Sequence, residues 1–299
     1  MSKPMTVTQF LRLFPDDDTC LAHLFEVRYG SHPVCPKCGQ VDTFHKLAKM
    51  PAYTCNCGHH VHPMVDTPFH RSRTPLQKWF FAMFLFTTTR NGVAAKEIQR
   101  QMGVTYKTAW RMARLIREYM GWVDGDAPVG GSGGPIVEAD ELFVGGRDRG
   151  QGPVGNKTIV FGMAERGGDV VTRVIPDRSE NSTTPLVKQF VRAGSKLATD
   201  DWTAYRRLGE EGYRHERVNH SAKEYVRGEW HTNTIEGFWS MVNRTIAGTH
   251  IHVSAKYLPT YLREIEYRWN LRKDQHLMFL LLLASFARAA SPEPMLPPF

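Results

Sequence analysis

Long apolar runs are missing from this chain. Its most apolar late stretch, "LMFLLLLA", stops at Ser285, far short of the roughly 20 residues a helix needs to cross a bilayer. That stretch reads as a buried or oligomer-facing helix, and no membrane partner is expected. The opening residues "MSKPMTVTQF" lack the apolar core of about 7–15 residues that secretory leaders carry. Cysteine is scarce at five residues, too few for a disulfide scaffold. A cytoplasmic, nucleoid-associated chain with reduced thiols is expected, and there clustered cysteines point to metal. No internal repeat is visible, which excludes solenoids and propellers. Acid is in the minority: 38 Lys and Arg against 30 Asp and Glu leave a net charge of +8. An anionic partner such as nucleic acid is therefore the class to look for.

What is present suits two or three units, since 299 residues exceed one typical domain. Residues 1–30 read as a helical segment interrupted at Pro15, and residues 31–70 hold the clustered cysteines. A helical block covers 75–122, and the glycine-rich "GDAPVGGSGGP" makes 123–135 a linker. Beyond it, "IVEADELFV", "KTIVFGMAE" and "DVVTRVI" read as an antiparallel meander. "TTPLVKQFVRAG" reads as a helix, "KLATD" as a short strand, "WTAYRRLGEEG" as a helix and "HERVNHS" as a strand. From Asn233 the chain is mostly helical, with 276–299 a terminal helix and tail. The fold class is α/β, a pattern that a ribonuclease-H-like domain over 136–275 satisfies.

Cys35 and Cys38 in "CPKCG", and Cys55 and Cys57 in "CNCG", have 16 residues between the two pairs. Thiolates paired on two tight turns converge tetrahedrally on Zn2+ in structural sites, which leave no open position for chemistry. The second pair is tighter than the usual spacing, so His59, His60 and His62 stand as alternative ligands. Cys20 is isolated and reads as a small core residue.

The stretch "VAAKEIQRQMGVTYKTAWRMARLIREYM" has helix-turn-helix organisation. Ala95 and Ile98 face inward on its first helix, "MGV" makes the turn, and Thr105 caps the second helix. Tyr106, Lys107, Thr108 and Arg111 then stand where a recognition helix meets base edges. Arg100, Lys107, Arg111, Arg114 and Arg117 are placed to meet phosphates. A basic solvated helix pair is the alternative.

Three carboxylates are separated along the chain. In "VEADELF" the strand period puts Glu138 and Asp140 on one face and Glu141 on the other. "KLATDD" ends in Asp200 and Asp201, of which one is a ligand candidate and either suits a helix cap. Glu236 follows Asn233 by three residues, which also reads as a capping box. Acids on a first strand, at a later strand end and in an early helical turn suit a pair of Mg2+ ions in phosphoryl transfer.

At this point the sequence resembles the DDE transposases of prokaryotic insertion sequences that carry an N-terminal zinc ribbon. "CPKCG", "RTPLQKWFFAMFLF", "VEADELFVGG", "TDDWTAY", "HTNTIEGFWSMVNR" and "KYLPTYLREIEYRWN" carry the likeness, in order, over roughly residues 20–275. The resemblance implies a ribonuclease-H-like core that cuts and joins DNA at transposon ends, with Asp140, Asp200 and Glu236 holding two Mg2+ ions, for which Mn2+ substitutes. It implies double-stranded DNA partners, both terminal inverted repeats and target, and a homo-oligomer on DNA. Asp200 follows Thr199 at the family position, and Asp201 stands where relatives carry Gly, so Asp201 is expected to cap the next helix. Where many relatives carry Lys seven residues after the third acid, this chain has Asn243, with Arg244 beside it as the substitute DNA contact. Glu138, Glu141 and Asp201 are expected as neighbours of the triad, with His231 nearby. Trp202, Trp230, Trp239 and Trp269 are expected in the core, and Arg147 and Arg149 on a basic loop. The alternatives are a zinc-ribbon DNA-binding regulator with an inactive scaffold and a structure-specific nuclease.

Overall fold

The computed structural model describes residues 4–145, 157–218 and 226–287. Arg147 and Arg149 lie outside these residues, as does the end of the expected "HERVNHS" strand. The chain forms two compact units, Met1–Val123 with Asp274–Phe299, and Asp124–Lys273.

The first unit begins with α1 (Val7–Leu13) and α2 (Asp17–Tyr29), divided at Pro15 as the sequence predicts. Thr6 and Gln9 form a capping box at α1, and Asp16 caps α2 by accepting from the Thr19 amide at 2.7 Å. A small antiparallel sheet follows, β1 (Phe44–Lys46), β2 (Tyr53–Cys55) and β3 (His60–Val61). Then come α3 (Leu76–Thr88), α4 (Ala95–Met102) and α5 (Tyr106–Asp124). The apolar late stretch forms α9 (Gln275–Ala287), which returns to this unit. Its Phe279 packs against Phe10, Phe14 and Phe84, and Phe286 against Phe69, Trp79 and Tyr119. Cys20 is fully buried, and burial pushes its thiol up to about 12.

The second unit is a mixed α/β layer structure. The meander forms as predicted from β4 (Val137–Val144), β5 (Thr158–Glu165) and β6 (Val170–Ile175), all antiparallel. After α6 (Glu180–Phe190), β7 (Lys196–Asp200) and β8 (Arg214–Val218) join parallel to β4, giving the order β6-β5-β4-β7-β8. The expected helix at "WTAYRRLGEEG" is only a short 3-10 turn at Thr203–Tyr205 followed by turns. The helices α7 (Asn233–Thr245) and α8 (Leu258–Asn270) complete the unit.

Both faces of the sheet are covered. One face joins Val137, Ala139, Phe161 and Met163 to Val187 and Phe190 of α6. The other joins Val144, Val160 and Ala164 to Ile235, Phe238 and Trp239 of α7 and to Leu262 and Ile265 of α8. Alternation along β4 therefore sends Glu138 and Asp140 under α7 and Glu141 toward the α6 side. The glycine-rich stretch read as a linker is built into this unit instead. Val129 exchanges backbone hydrogen bonds with Phe190 and Arg192, and the Gly131 amide donates to Ser195 Oγ at 2.8 Å. Gly130 has φ +77, and a Cβ there would lie 2.5 Å from Ser195 Oγ. Glycine is needed there for close approach as well as for φ.

Candidate active site and metal centre

The four clustered cysteines come together at one end of the small sheet, and all are free thiols. Cys35 and Cys57 Sγ lie 3.7 Å apart, and Cys38 and Cys55 Sγ 3.6 Å apart. With Zn–S near 2.3 Å, a tetrahedron has edges of about 3.8 Å, so the thiolates fit Zn2+. The Cys57 amide, then the Thr43 hydroxyl, lower the Cys55 thiol to about 6. No histidine joins this group among the described residues. The four-cysteine set is thus the one that the geometry supports, and the three alternative histidines stand apart from it.

Asp140 and Asp200 sit on neighbouring parallel strands. The ladder pairs Glu138 with Ala198 and Ala139 with Thr199, so the next step along it brings Asp140 beside Asp200. Asp201 goes the other way: its carboxylate accepts from Arg217 at 2.6 Å, on the face that holds Thr199 and His215. Nor does Asp201 cap a helix. It is Asp200 Oδ1 that accepts from the Trp202 amide, at 3.0 Å, and the 3-10 turn has no side-chain cap. Burial, then the neighbouring Glu141 carboxylate, push Asp140 up to about 7, and Asp200 adds to the effect. A desolvated carboxylate crowded by two others is one that a hard divalent cation would stabilise.

Glu236 lies in the first turn of α7, exposed, with Oε1 accepting from Thr232 Oγ1 at 2.8 Å. The expected Asn233–Glu236 capping box does not form, because Thr232 and not Asn233 is the N-cap. Three residues on, Trp239 Nε1 donates to Asp140 Oδ2 at 3.1 Å, docking this helix onto β4 beside the acid. The strand residue opposite Asp140 is Gly162, where a Cβ would lie 2.6 Å from the Trp239 ring. That glycine makes room for the indole. The ligand oxygens of Asp140, Asp200 and Glu236 do not all fall within 4.8 Å of one another, whereas the Sγ atoms of the cysteine group do.

Around these acids Glu141 and His231 were expected, whereas Tyr205 and Arg178 were hidden from sequence reasoning. Glu141 is buried, accepts from the Tyr205 hydroxyl, and pairs with Arg178 at 3.1 Å. Arg178 also lies 3.9 Å from Asp200 and stacks at 4.2 Å over Trp202. Trp202 is 40% exposed rather than a core residue, whereas Trp239 is buried as expected. Arg178 carries no motif in the sequence; only its return to the Asp200 strand end reveals it. His231 lies 3.2 Å from Glu138.

In the first unit α4 and α5 are joined through Gly103 in the left-handed region, and Thr105 Oγ1 accepts from the Thr108 amide at 3.2 Å, as a cap should. Tyr106, Lys107 and Arg111 are exposed and Thr108 half-buried. Arg100 and Arg114 are exposed and paired with Glu97 and Glu118. Arg117 corrects the expectation of a phosphate contact: it is 3% exposed, donates to the Val93 carbonyl at 3.1 Å and packs over Phe86. The residue that joins Ile98 in facing inward from α4 is Met102, with Ala95 only half-buried. Arg244 and Asn243 are exposed in the last turn of α7.

A second acidic group, Asp124, Asp126 and Glu266, brings its oxygens within 4.8 Å of one another. Each already has a protein partner: Asn270 donates to Asp124 at 3.0 Å, Arg173 to Asp126 at 2.6 Å and the Thr172 amide to Glu266 at 2.6 Å. It is a polar node beneath α8.

Residues 130–270 match the model of the ISXO2-like transposase domain, and residues 15–60 that of the transposase zinc-ribbon domain. The chain is similar to an uncharacterised protein in transposable element ISH50 of Halobacterium salinarum, 29% identical over 269 residues, 82% of this chain and 88% of that one. A transposase-like protein of Haemophilus influenzae is 27% identical over 101 residues, 34% of this chain and 80% of that one. Among solved structures, a pre-cleavage Mos1 transpososome aligns with TM-score 0.31 and 12% identity, covering 64% of this chain and 72% of that one. A simian T-cell lymphotropic virus intasome bound to PP2A regulatory subunit B56 gamma aligns with TM-score 0.31 and 11% identity, covering 67% and 69%.

Proposed function

Because the chain belongs to the insertion-sequence transposases of the DDE type with an N-terminal zinc ribbon, we propose that it binds transposon ends and catalyses Mg2+-dependent DNA strand cleavage and strand transfer. The observation that carries this reading is Asp140 beside Asp200 on paired strands, with the helix bearing Glu236 docked to Asp140 through Trp239. A meander followed by two parallel strands, with helices on both faces, supports a ribonuclease-H-like catalytic unit.

In this reading Asp140, Asp200 and Glu236 hold the Mg2+ ions, or Mn2+ in their place. The bound metal supplies activation of a water or 3′-hydroxyl and stabilisation of the leaving oxygen. Asp140, which burial raises to about 7, would hold a cation through its carboxylate form. Trp239 holds Oδ2 of Asp140 and so fixes how the carboxylate is presented at the strand end. Arg178 holds Glu141 and stands at the edge of Asp200, countering the acidic crowd at the strand end. The zinc ribbon and the α4–α5 pair, with Tyr106, Lys107, Thr108 and Arg111 exposed or half-buried, engage terminal DNA. Arg100, Arg114 and Arg244 meet backbone phosphates, the first two by exchanging their glutamate partners. Pairing of two ends implies a homo-oligomer on DNA, and target DNA as the second substrate.

The test is a plasmid carrying the DNA that flanks this gene, incubated with the zinc-loaded chain and Mg2+. End cleavage and joining are expected for the wild type and neither for Asp140→Ala. Cleavage that survives Asp140→Ala sinks the proposal, as does a wild-type chain that binds the flanks and cuts nothing, the behaviour of a regulator.

A further inference from the structure

Glu138 precedes Asp140 by two residues on the same face of β4 and is fully buried. A carboxylate out of water is costly unless hydrogen-bonded on most of its lone pairs. Its partners come from two places, the end of β5 and the start of α7, with His231 Nδ1 also 3.2 Å away. Arg166, just after β5, donates from Nε to Oε1 at 2.6 Å, and Thr234 Oγ1 donates to the same oxygen at 3.0 Å. The amides of Thr234 and Ile235 donate to Oε2 at 2.6 and 3.1 Å. These are the second and third amides of α7, whose own N-cap Thr232 makes no side-chain cap bond. The helix is therefore capped by a strand residue 96 positions earlier. Arg166 goes on to donate to the Glu229 and His231 carbonyls at 2.6 and 3.0 Å, holding the segment that enters the helix.

Thus α7 is tied to β4 at two points, by Glu138 at its first turn and by Asp140 through Trp239 at its second. Glu236 lies between them. Apolar contacts from Ile235, Phe238 and Val242 press the helix onto the sheet but resist sliding along its axis only weakly. Hydrogen bonds to first-turn amides are directional and fix that axial position.

We propose that Glu138 is a positioning residue which, with Arg166, sets Glu236 relative to Asp140 and so tunes the affinity of the cation those two carboxylates share. This rests on the reading of Asp140, Asp200 and Glu236 as metal ligands. Asp140 and Asp200 each directly follow the last pair of the β4–β7 ladder, Ala139 with Thr199, so the clamp is expected to act on the cation that Glu236 would help to hold and to spare the other.

The experiment is a Mn2+ titration of the zinc-loaded full chain without DNA, followed by electron paramagnetic resonance, with folding checked by circular dichroism. Two classes of Mn2+ site are expected in the wild type, both abolished in Asp140→Asn. The double variant Glu138→Met, Arg166→Met removes both charges together, which avoids stranding a buried guanidinium. It is expected to weaken the looser site about tenfold and to leave the tighter one within about threefold, in the range of outer-shell effects on metal affinity. Glu138→Gln, Arg166→Met keeps an acceptor for the α7 amides and is expected to restore most of that affinity. Wild-type binding in a folded double-methionine chain overturns the proposal, as does equal impairment of the two double variants. If the double-methionine chain does not fold, Glu138→Asp, which retracts the carboxylate from α7 by one methylene, must show the same selective weakening or the proposal fails. Mn2+ binding that survives Asp140→Asn instead overturns the ligand reading itself, and this proposal with it.

Discussion

At the scale of single residues, Asp200 and Asp201 take opposite faces of the sheet. Asp200 continues the register toward Asp140, and Asp201 pairs with Arg217 at a site where both side chains are more than a third exposed. Asp200→Asn is expected to abolish cleavage of flanking DNA in a folded chain. Asp201→Asn is expected to leave cleavage intact and to cost under about 1 kcal/mol in urea unfolding, as exposed pairs do. Equal loss of cleavage in both would show that the phase of β7 does not decide the ligand. Strand period made that phase legible in the sequence. The cap role expected of Asp201 fails, because it depended on a following helix that a 3-10 turn replaces.

Glu266 gives a second prediction at this scale. It is 2% exposed, and burial, then the Asp126 charge, push it up to about 7; burial likewise pushes Asp124 up to about 8. A carboxyl raised in the folded state binds its proton more tightly folded than unfolded. Its contribution is full below the ordinary carboxylate range near pH 4 and is lost as pH rises toward 7 and 8. Thermal stability of the 124–273 unit should therefore fall between pH 5 and 8, and Glu266→Gln should flatten that slope. Calorimetry at several pH values checks it; an unchanged slope in the variant would mean the node does not hold the proton.

At the scale of elements, α5 shows how a pattern both informs and misleads. Its buried residues Ala109, Met112, Ala113, Ile116 and Met120 recur at helical spacing, and Thr105 was legible as its cap. Arg117 was not, because a guanidinium can be buried when partners outside the helix receive it, among them the Val93 carbonyl and the Phe86 ring. On α5 the DNA expectation therefore leaves out Arg117 and keeps Tyr106, Lys107, Thr108, Arg111 and Arg114. Lys107→Ala should weaken binding to flanking duplex and lower the slope of log K against log salt by about 0.9, the change for one phosphate no longer neutralised. Arg117→Ala should instead lower the melting temperature of the first unit. Fluorescence anisotropy across a salt series separates the two, and an unchanged slope for Lys107→Ala would remove that residue from the interface. The support of α7 was illegible for a similar reason: helix capping is normally local, and here the cap comes from β4.

At the scale of the whole molecule, the order of the meander, α6, β7 and β8 was legible because each strand has apolar residues and glycine-rich turns separate the strands of the meander. The fate of the two most extreme stretches was not. The glycine-rich segment reads as a spacer until Ser195 and Glu165 are seen to accept from its amides, at 2.8 and 2.7 Å. The apolar late stretch has no sequence mark that assigns it to the first unit. Deleting residues 274–299 should expose Phe10, Phe14, Phe69 and Trp79, and cost the first unit its cooperative melting transition while the second still melts normally. Two-transition calorimetry tests this, and a first unit that melts unchanged would show that α9 is dispensable.

The return of α9 also fixes an order in time. Synthesis runs from the N-terminus, so the unit that begins the chain is the last whose parts are all available. At bacterial and eukaryotic elongation speeds, the roughly 150 residues of Asp124–Lys273 separate α5 from α9 by about 8–30 s. During that interval Phe10, Phe84 and Trp79 lack the ring partners that Phe279 and Phe286 later supply. A nascent chain thus has its acid-bearing sheet complete before the helices that carry its basic residues are sealed. Zinc uptake by the four cysteines, which needs nothing beyond residue 57, is free to come first and hold the opening segment together until the last helix emerges.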